Sequence, residues 1–96
     1  MKILALEKSV PNITNEQYAP HRLPEARRVW DLYQEGVIRE MYFRGDCSQA
    51  VLMLECKDIG EASATLSTLP LVRQGLISFE LIPLVAYPGF GRLFTR

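Results

Sequence analysis

Two stretches of the chain carry large apolar side chains on both sides of what reads as a β-strand. In QAVLMLEC (49–56), Leu52 and Leu54 point to one side and Val51 and Met53 to the other. The last strand-like stretch, LISFELIPL (76–84), follows the same pattern, with Ile77, Phe79 and Leu81 opposite Leu76 and Ile82. An antiparallel sheet with helices on one face normally alternates between apolar and polar side chains. We therefore predict a sheet with two apolar faces.

Two helices cover only one of those faces, so a single copy would expose an apolar patch beyond the few hundred Å² usual on monomers. Burying five or six such side chains is worth roughly 8–18 kcal/mol. Association costs of about 4–15 kcal/mol stand against that gain. We expect two copies to pack their sheets face to face as a homodimer or as part of a higher homo-oligomer.

The order of the predicted elements defines the fold class. The strands are predicted at KILALEK (2–8), VIREMYFR (37–44), QAVLMLEC (49–56) and LISFELIPL (76–84), with one helix after the first strand and another after the third. This β-α-β-β-α-β order predicts an α+β, ferredoxin-like antiparallel sheet with two helices on one face. Ninety-six residues fit one domain, residues 1–96. The last strand should lie at a sheet edge, where Pro83 is tolerated.

Apolar spacing and end signals place the two helices. The first is predicted to begin with Pro24 at its first position and to end at Gly36. Its apolar face is predicted at Leu23, Ala26, Val29, Trp30 and Tyr33. The second should be capped by Asp58 and stopped by Pro70. We expect Trp30 and Tyr33 to lie in the core or to line a pocket.

The segment after the last strand, residues 84–96, is rich in apolar side chains. It contains four large ones, Tyr87, Phe90, Leu93 and Phe94. These are too many to remain in water, so we expect this tail to pack on a neighbouring subunit rather than on its own chain.

Charge and composition argue against several function classes. Eleven basic and eleven acidic residues cancel, whereas nucleic-acid binders usually carry a basic excess. No run of 18 apolar residues occurs, so no transmembrane helix is expected, and the start MKILALEKSV lacks the long apolar centre of a signal peptide. We expect a cytoplasmic protein. Cys47 and Cys56 should be free thiols, and with one histidine they fall short of a structural zinc site.

Two segments resemble known proteins. LPLVRQGLISFELIPLVAYP (69–88) is similar to the carboxy-terminal signature of the muconolactone isomerase-like group, and WDLYQEGVIREMYFRGD (30–46) resembles bacterial relatives of that class. The resemblance implies a dimeric α+β barrel and a cofactor-free isomerase. The same class hosts cofactor-free monooxygenases, haem-handling enzymes and proteins of unknown role. Haem would need His21 as its axial ligand. No further residue identifies a haem pocket, so no cofactor is expected.

The activity that the resemblance implies is a proton transfer within a small anionic lactone. It needs a base, a hydrogen-bond donor for the developing enolate and a cation for the carboxylate. The catalytic candidates of these types are His21, Arg39 and Tyr42. His21 also has the simpler reading of a polar residue at a helix entrance. Arg39, predicted on the same side of its strand as Met41 and Phe43, requires an anionic partner, which is either a ligand or a carboxylate.

Further residues are candidates for contacting a ligand or for acting as an acid or base. Tyr18, Trp30 and Glu80 are the candidates for lining a ligand pocket. Glu7, Glu55 and Glu80 interrupt apolar strands, and each is either a buried carboxylate with a raised pKa or a side chain in water at a strand end.

Two functions from different classes remain open. The first is a small cofactor-free enzyme acting on a hydrophobic, ring-containing acid, as an isomerase or a monooxygenase. The second is a non-catalytic protein that binds a small ligand or builds an assembly. The strand register decides which polar side chains face a pocket, because a one-residue shift inverts every side chain.

Overall fold

The structure is a computed structural model that describes residues 1–95. It contains four strands, β1 (Lys2–Ser9), β2 (Ile38–Phe43), β3 (Ala50–Glu55) and β4 (Ile77–Pro83), and four helices, α1 (Asn15–Tyr18), α2 (Arg22–Gln34), α3 (Ile59–Leu66) and α4 (Pro70–Arg73). Two 3-10 turns, Ala19–His21 and Gly89–Leu93, complete the described elements.

The strands form one antiparallel sheet in the order β2-β3-β1-β4. The helices pack on one face of this sheet, which confirms the predicted ferredoxin-like α+β fold. β4 lies at an edge, as predicted, with Pro83 as its last residue. None of the helices in residues 1–95 is both long enough and apolar enough to span a bilayer.

Both helix-to-strand connections end in the same backbone motif. After α2, the N–H of Gly36 donates to Tyr33 O and the N–H of Val37 donates to Leu32 O. After α4, Gly75 and Leu76 repeat this pair of hydrogen bonds. This is the Schellman arrangement, which requires a left-handed residue after the helix. Gly36 (φ +82°) and Gly75 (φ +73°) supply it, so the predicted end of α2 is correct.

Two proline positions differ from the prediction. Helical backbone is continuous from α1 through the first 3-10 turn, so α2 begins at Arg22 and Pro24 is its third residue. The N–H at that position would lack an intrahelical partner in any case, which explains why proline is accepted. Pro70 does not stop α3, which ends at Leu66; it begins α4.

The core lies between the sheet and the helices. Its largest fully buried side chains are Ile3, Leu32, Ile38, Leu54 and Leu69. The stripe of α2 that faces the sheet consists of Glu25, Arg28, Val29 and Leu32, all buried or half-buried. The predicted stripe was wrong in part, because Leu23, Trp30 and Tyr33 lie on the outside of α2. Two charged residues therefore occupy core-facing positions of this helix.

Within residues 1–95, no helix packs on the opposite face of the sheet. Paired residues on this open face form an apolar patch of half-buried side chains: Leu4, Leu6, Val51, Met53 and Ile82. At one border of the patch, Lys8 Nζ lies 3.0 Å from Glu80 Oε1. The prediction that the strands are apolar on both sides is correct within this chain.

The tail beyond β4 extends away from the body of the molecule. The radius of gyration of the Cα atoms is 15.9 Å, whereas a compact chain of this length has about 12.5 Å. Tyr87 and Phe90 pack edge-to-face on one another, with ring centroids 5.1 Å apart. Phe90 remains 68% exposed and Phe94 82% exposed. The prediction that this tail packs on a neighbouring subunit stays a prediction.

Candidate functional site

The main cavity lies between the helix-facing side of the sheet and helix α2, and its volume is about 750 Å³. α1 contributes Tyr18, and the segment around α4 contributes Leu69 and Leu71. Most of the wall is apolar, with Leu52 and Phe79 from the sheet. A cavity of this size and lining suits a small hydrophobic ligand.

Glu7 brings a carboxylate into this cavity from the sheet. It follows Ile3 and Ala5 on the helix-facing side of β1 and is half-buried. The β1–β3 register ends with Leu6 opposite Val51. Beyond that pair, Glu7 Oε1 accepts a hydrogen bond of 2.9 Å from the N–H of Ala50. Beyond the last backbone pair of β1 and β3, the Glu7 side chain therefore supplies the next hydrogen bond between the two strands, and this bond fixes its position.

Glu25 brings a second carboxylate from the helix side. It lies in the first turn of α2, is half-buried, and its Oε1 accepts a hydrogen bond of 2.9 Å from the N–H of Leu71. Burial raises the pKa of Glu25, and the nearby negative charge of Glu7 raises it further. The Leu71 hydrogen bond and the charge of His21 lower the pKa, but the net direction is upward.

Each of these carboxylates keeps one oxygen free. Within residues 1–95, Glu7 and Glu25 use only Oε1 in the hydrogen bonds described above. In the buried and half-buried residues of this range, every side-chain oxygen or nitrogen that solvent cannot reach has a hydrogen-bond partner. The Oε2 atoms are therefore accessible, so both carboxylates can contact a ligand.

Arg22 and Tyr18 add two more polar side chains to the lining of the cavity. Arg22, the first residue of α2, is exposed and lines the cavity, which places it at the rim. Tyr18 is half-buried, and its hydroxyl donates to Leu76 O over 3.5 Å, a weak contact. The cavity thus has a cationic group at its rim and two carboxylates on its walls.

His21 lies at the entrance of α2, next to this cavity but outside its lining. It is half-buried and makes no side-chain capping hydrogen bond. Its charge bears on Glu25, one turn further along the helix, and lowers the pKa of that carboxyl. The one effect of His21 on the cavity that this geometry shows is its charge effect on Glu25.

Arg39 and Trp30 border a different, shallow depression of about 370 Å³ on the outer side of α2 and β2. A β-bulge between Ile38 and Glu40 removes Arg39 from the side of Met41 and Phe43, where it was predicted. Arg39 Nε donates to Gly36 O over 2.6 Å. Trp30 packs against Tyr33, with ring centroids 6.0 Å apart.

Tyr42 contacts both the main cavity and the depression. Its hydroxyl donates to Glu40 Oε1 over 2.9 Å, and this hydrogen bond raises the pKa of Tyr42. Tyr42 is 62% exposed, which places it at the border of the cavity. Glu80 lies on the open face of the sheet, on the far side from the cavity.

The structure therefore brings Tyr18 and Tyr42 to the cavity, with His21 beside it, and places Arg39, Trp30 and Glu80 elsewhere in this chain. Sequence reasoning had raised Glu7 as one of three strand carboxylates but had not singled out Glu25. The spacing 25-28-29-32 was the available signal, since it puts two charged residues on one stripe with Val29 and Leu32.

The two cysteine thiols lie outside the lining of this cavity. Both cysteines are free: Cys47 is exposed in the β2–β3 loop and Cys56 is buried in the core. Burial raises the pKa of Cys56, which keeps that thiol protonated and unreactive. Among residues 1–95, no group of three or more His, Cys, Asp or Glu side chains is placed to hold a metal ion.

Sheet order and helix placement define the chain as a ferredoxin-like α+β protein. A crystal structure of muconolactone isomerase, solved at 3.3 Å, has a similar fold, with a TM-score of 0.75 over 92% of each chain and 17% sequence identity. At this identity the likeness establishes the fold alone. No protein-family model and no curated protein sequence matches the chain.

Proposed function

We propose that the chain is a small, cofactor-free enzyme that transfers a proton within a hydrophobic, ring-containing acid. The observation that carries this proposal is Glu25, a half-buried carboxyl with a raised pKa and a free oxygen in an apolar cavity. General acids and bases work best when their pKa lies near the operating pH, and desolvation raises the pKa of a carboxyl in that direction.

The rest of the cavity supplies the other needs of such a reaction. Arg22 at the rim offers a cation for the carboxylate of the ligand. Tyr18 offers a hydroxyl on the inner wall, where a hydrogen bond to a developing enolate would stabilise it. The similarity in fold to muconolactone isomerase supports the choice of a small lactone acid as the first substrate to test.

We keep His21 and Tyr42 as candidates that assist Glu25. His21 bears on the charge of Glu25, and Tyr42 borders the cavity. Arg39 and Trp30 lie in the outer depression and Glu80 lies on the open face. Their participation would require a ligand or a second copy at those surfaces.

We propose further that two copies pack their open sheet faces together and that the tail (residues 84–96) lies over the neighbouring subunit. The support is the patch of five half-buried apolar side chains on the open face. The exposed aromatic residues of the tail point the same way. Burial of such surface between two copies is the main favourable contribution to association.

The decisive experiment measures proton exchange in muconolactone by NMR in deuterated water. The wild type should accelerate exchange, and Glu25→Gln should lower the rate about 10²-fold or more, the usual contribution of a positioned acid or base. Glu35→Gln removes an exposed carboxylate at the end of α2, outside the cavity lining, and is the matched control, with an expected rate near the wild type.

Equal rates for Glu25→Gln and the wild type would rule out this role for Glu25. Binding of muconolactone without any exchange or turnover would instead support the alternative, a non-catalytic ligand-binding protein. In that case the same cavity would hold the ligand through its apolar wall and Arg22.

A further inference from the structure

We propose that Glu7 is a positioning residue that acts on Glu25 from the opposite wall of the cavity and, through its negative charge, turns the anionic group of the ligand toward Arg22. Its effect on ligand orientation rests on the function proposed above. Its effect on Glu25 needs no ligand.

The geometry of the two carboxylates carries this inference. Glu7 belongs to the sheet and Glu25 to α2, so the two side chains enter one cavity from facing layers. Backbone N–H groups of Ala50 and Leu71 hold one oxygen of each carboxylate. These anchors belong to β3 and α4, so neither carboxylate swings away without losing a hydrogen bond.

A fixed pair of like charges in a partly dry cavity has one main consequence. Ionisation of one carboxyl makes ionisation of its neighbour less favourable, which stabilises a protonated carboxyl that can donate to a ligand. Repulsion from Glu7 adds to the effect of burial in raising the pKa of Glu25. Glu7 therefore acts through Glu25 and does not itself have to exchange a proton with the ligand.

Other groups also bear on Glu25 and have to be separated from Glu7. The charged and titratable groups around the cavity, by element, are Glu7 on β1, Tyr18 on α1, His21 on the 3-10 turn, Arg22 on α2 and Tyr42 on β2. α4 contributes the N–H of Leu71, while its charged residue, Arg73, is exposed. Of these groups, Glu7 is the one whose charge raises the pKa of Glu25.

The same pair sets a charge gradient along the cavity. Two acidic groups on the walls oppose an arginine at the rim. An acid with one carboxylate can place that group at Arg22 and its uncharged ring inside. An acid with carboxylates at both ends would have to bury one of them against Glu7 and Glu25, which is unfavourable. We infer that the cavity selects monoanionic ring acids.

The direct test is a pH titration of the Glu25 carboxyl carbon by NMR in the full chain. Glu7→Gln should shift the midpoint for Glu25 to lower pH, because it removes a negative charge and keeps an acceptor for the Ala50 N–H. Glu7→Asp keeps the charge and should leave the midpoint nearer to the wild type. Glu35→Gln, at an exposed position at the end of α2, should leave it unchanged.

An unchanged Glu25 midpoint in Glu7→Gln would overturn the positioning role. Unchanged amide shifts of the core residues Ile3 and Leu54 in Glu7→Gln would show that the fold is intact, so a change at Glu25 would then report charge. Because this titration involves no turnover, its result is independent of whether the chain proves to be an isomerase.

The ligand arm uses benzoate and terephthalate as probes, followed by NMR shifts of cavity residues. The wild type should bind benzoate at least about tenfold more tightly than terephthalate, the ratio that 1.4 kcal/mol of discrimination produces. Glu7→Gln should reduce that ratio. Failure of benzoate to bind, or a ratio unchanged in Glu7→Gln, would overturn the proposed orientation.

Discussion

Each face of the sheet carries side chains of the kind that its surroundings disfavour. The helix-facing side is covered by helices, yet it holds the carboxylate of Glu7 opposite that of Glu25. The open side faces away from every helix, yet its centre consists of Leu4, Leu6 and their apolar neighbours. Polar groups inside and apolar groups outside both carry a free-energy cost in a lone domain. This difference is the basis of our proposals that one face binds a ligand and that the other is an assembly surface.

The largest effect is expected from placing a charge on the open face. Leu6→Glu would bury an unpaired carboxylate in each copy of a face-to-face dimer, at a cost of roughly 3–5 kcal/mol per copy. The dimer should weaken by at least about 10³-fold, as measured by analytical ultracentrifugation. Ser67→Asp, on an exposed position after α3, is the control. A wild type that sediments as a monomer at micromolar concentration would refute the assembly itself.

Truncation of neighbouring strand residues compares the two faces directly. Leu54 is fully buried under the helices, so Leu54→Ala should lower the free energy of unfolding by about 2–5 kcal/mol. Met53 is the next residue and lies half-buried on the open face. Met53→Ala should cost clearly less in dilute protein, and its cost should grow with protein concentration.

Chemical denaturation over a range of protein concentrations measures both variants. A cost for Met53→Ala that does not depend on concentration would show that the open face is not an interface. A small cost for Leu54→Ala would contradict the location of the core.

A smaller effect is expected from Glu25 on stability, and its size depends on pH. The pKa of Glu25 is higher in the folded chain than in the unfolded chain. Between those two values the folded chain holds more protons, so the free energy of unfolding falls as pH rises. Glu25→Gln removes this penalty and keeps an acceptor for the Leu71 N–H.

The advantage of Glu25→Gln over the wild type should therefore be larger at pH 7 than at pH 4. Thermal or denaturant unfolding at the two pH values measures it, with Glu35→Gln as the control for removing one exposed carboxylate. An advantage that grows toward low pH would contradict the raised pKa.

The smallest effect on the stability of one chain is expected from the tail. Phe90 and Phe94 are mostly exposed, so the double change Phe90→Ser with Phe94→Ser should alter the free energy of unfolding by no more than about 0.5 kcal/mol in dilute protein. If the tail packs on a neighbour, the same change should weaken association in ultracentrifugation. Association equal to the wild type would exclude that contact.

Strong local patterns made the fold predictable. The strands were recognisable because apolar runs of six to eight residues were bounded by turn residues. The end of α2 was predictable because Gly36 meets the need of a Schellman motif for a left-handed residue. The N-cap of α3 was predictable for a similar reason, because the Asp58 side chain accepts a hydrogen bond from the N–H of Glu61.

The candidate site was less predictable because it depends on helix rotation and strand register. The predicted stripe of α2 and the observed one share Val29 and have the same three- and four-residue spacing. Apolar residues alone could not show which of the two stripes faces inward, because the observed stripe contains two charged residues, Glu25 and Arg28. Arg39 was misplaced for a related reason, because the bulge after Ile38 changes which residues of β2 face the helices.

Local chemistry in this chain was enough to specify its strands, the end of α2, the N-cap of α3 and a sheet that is apolar on both sides. Each of these depends on residues close together in the sequence, where periodicity and backbone preference act. The meeting of Glu7 with Glu25 depends on how β1 and α2 pack. The separation of Arg39 and Glu80 from the cavity depends on the bulge in β2 and on which side of β4 faces the helices. These contacts join distant parts of the chain, so packing and register decide them and local pattern does not.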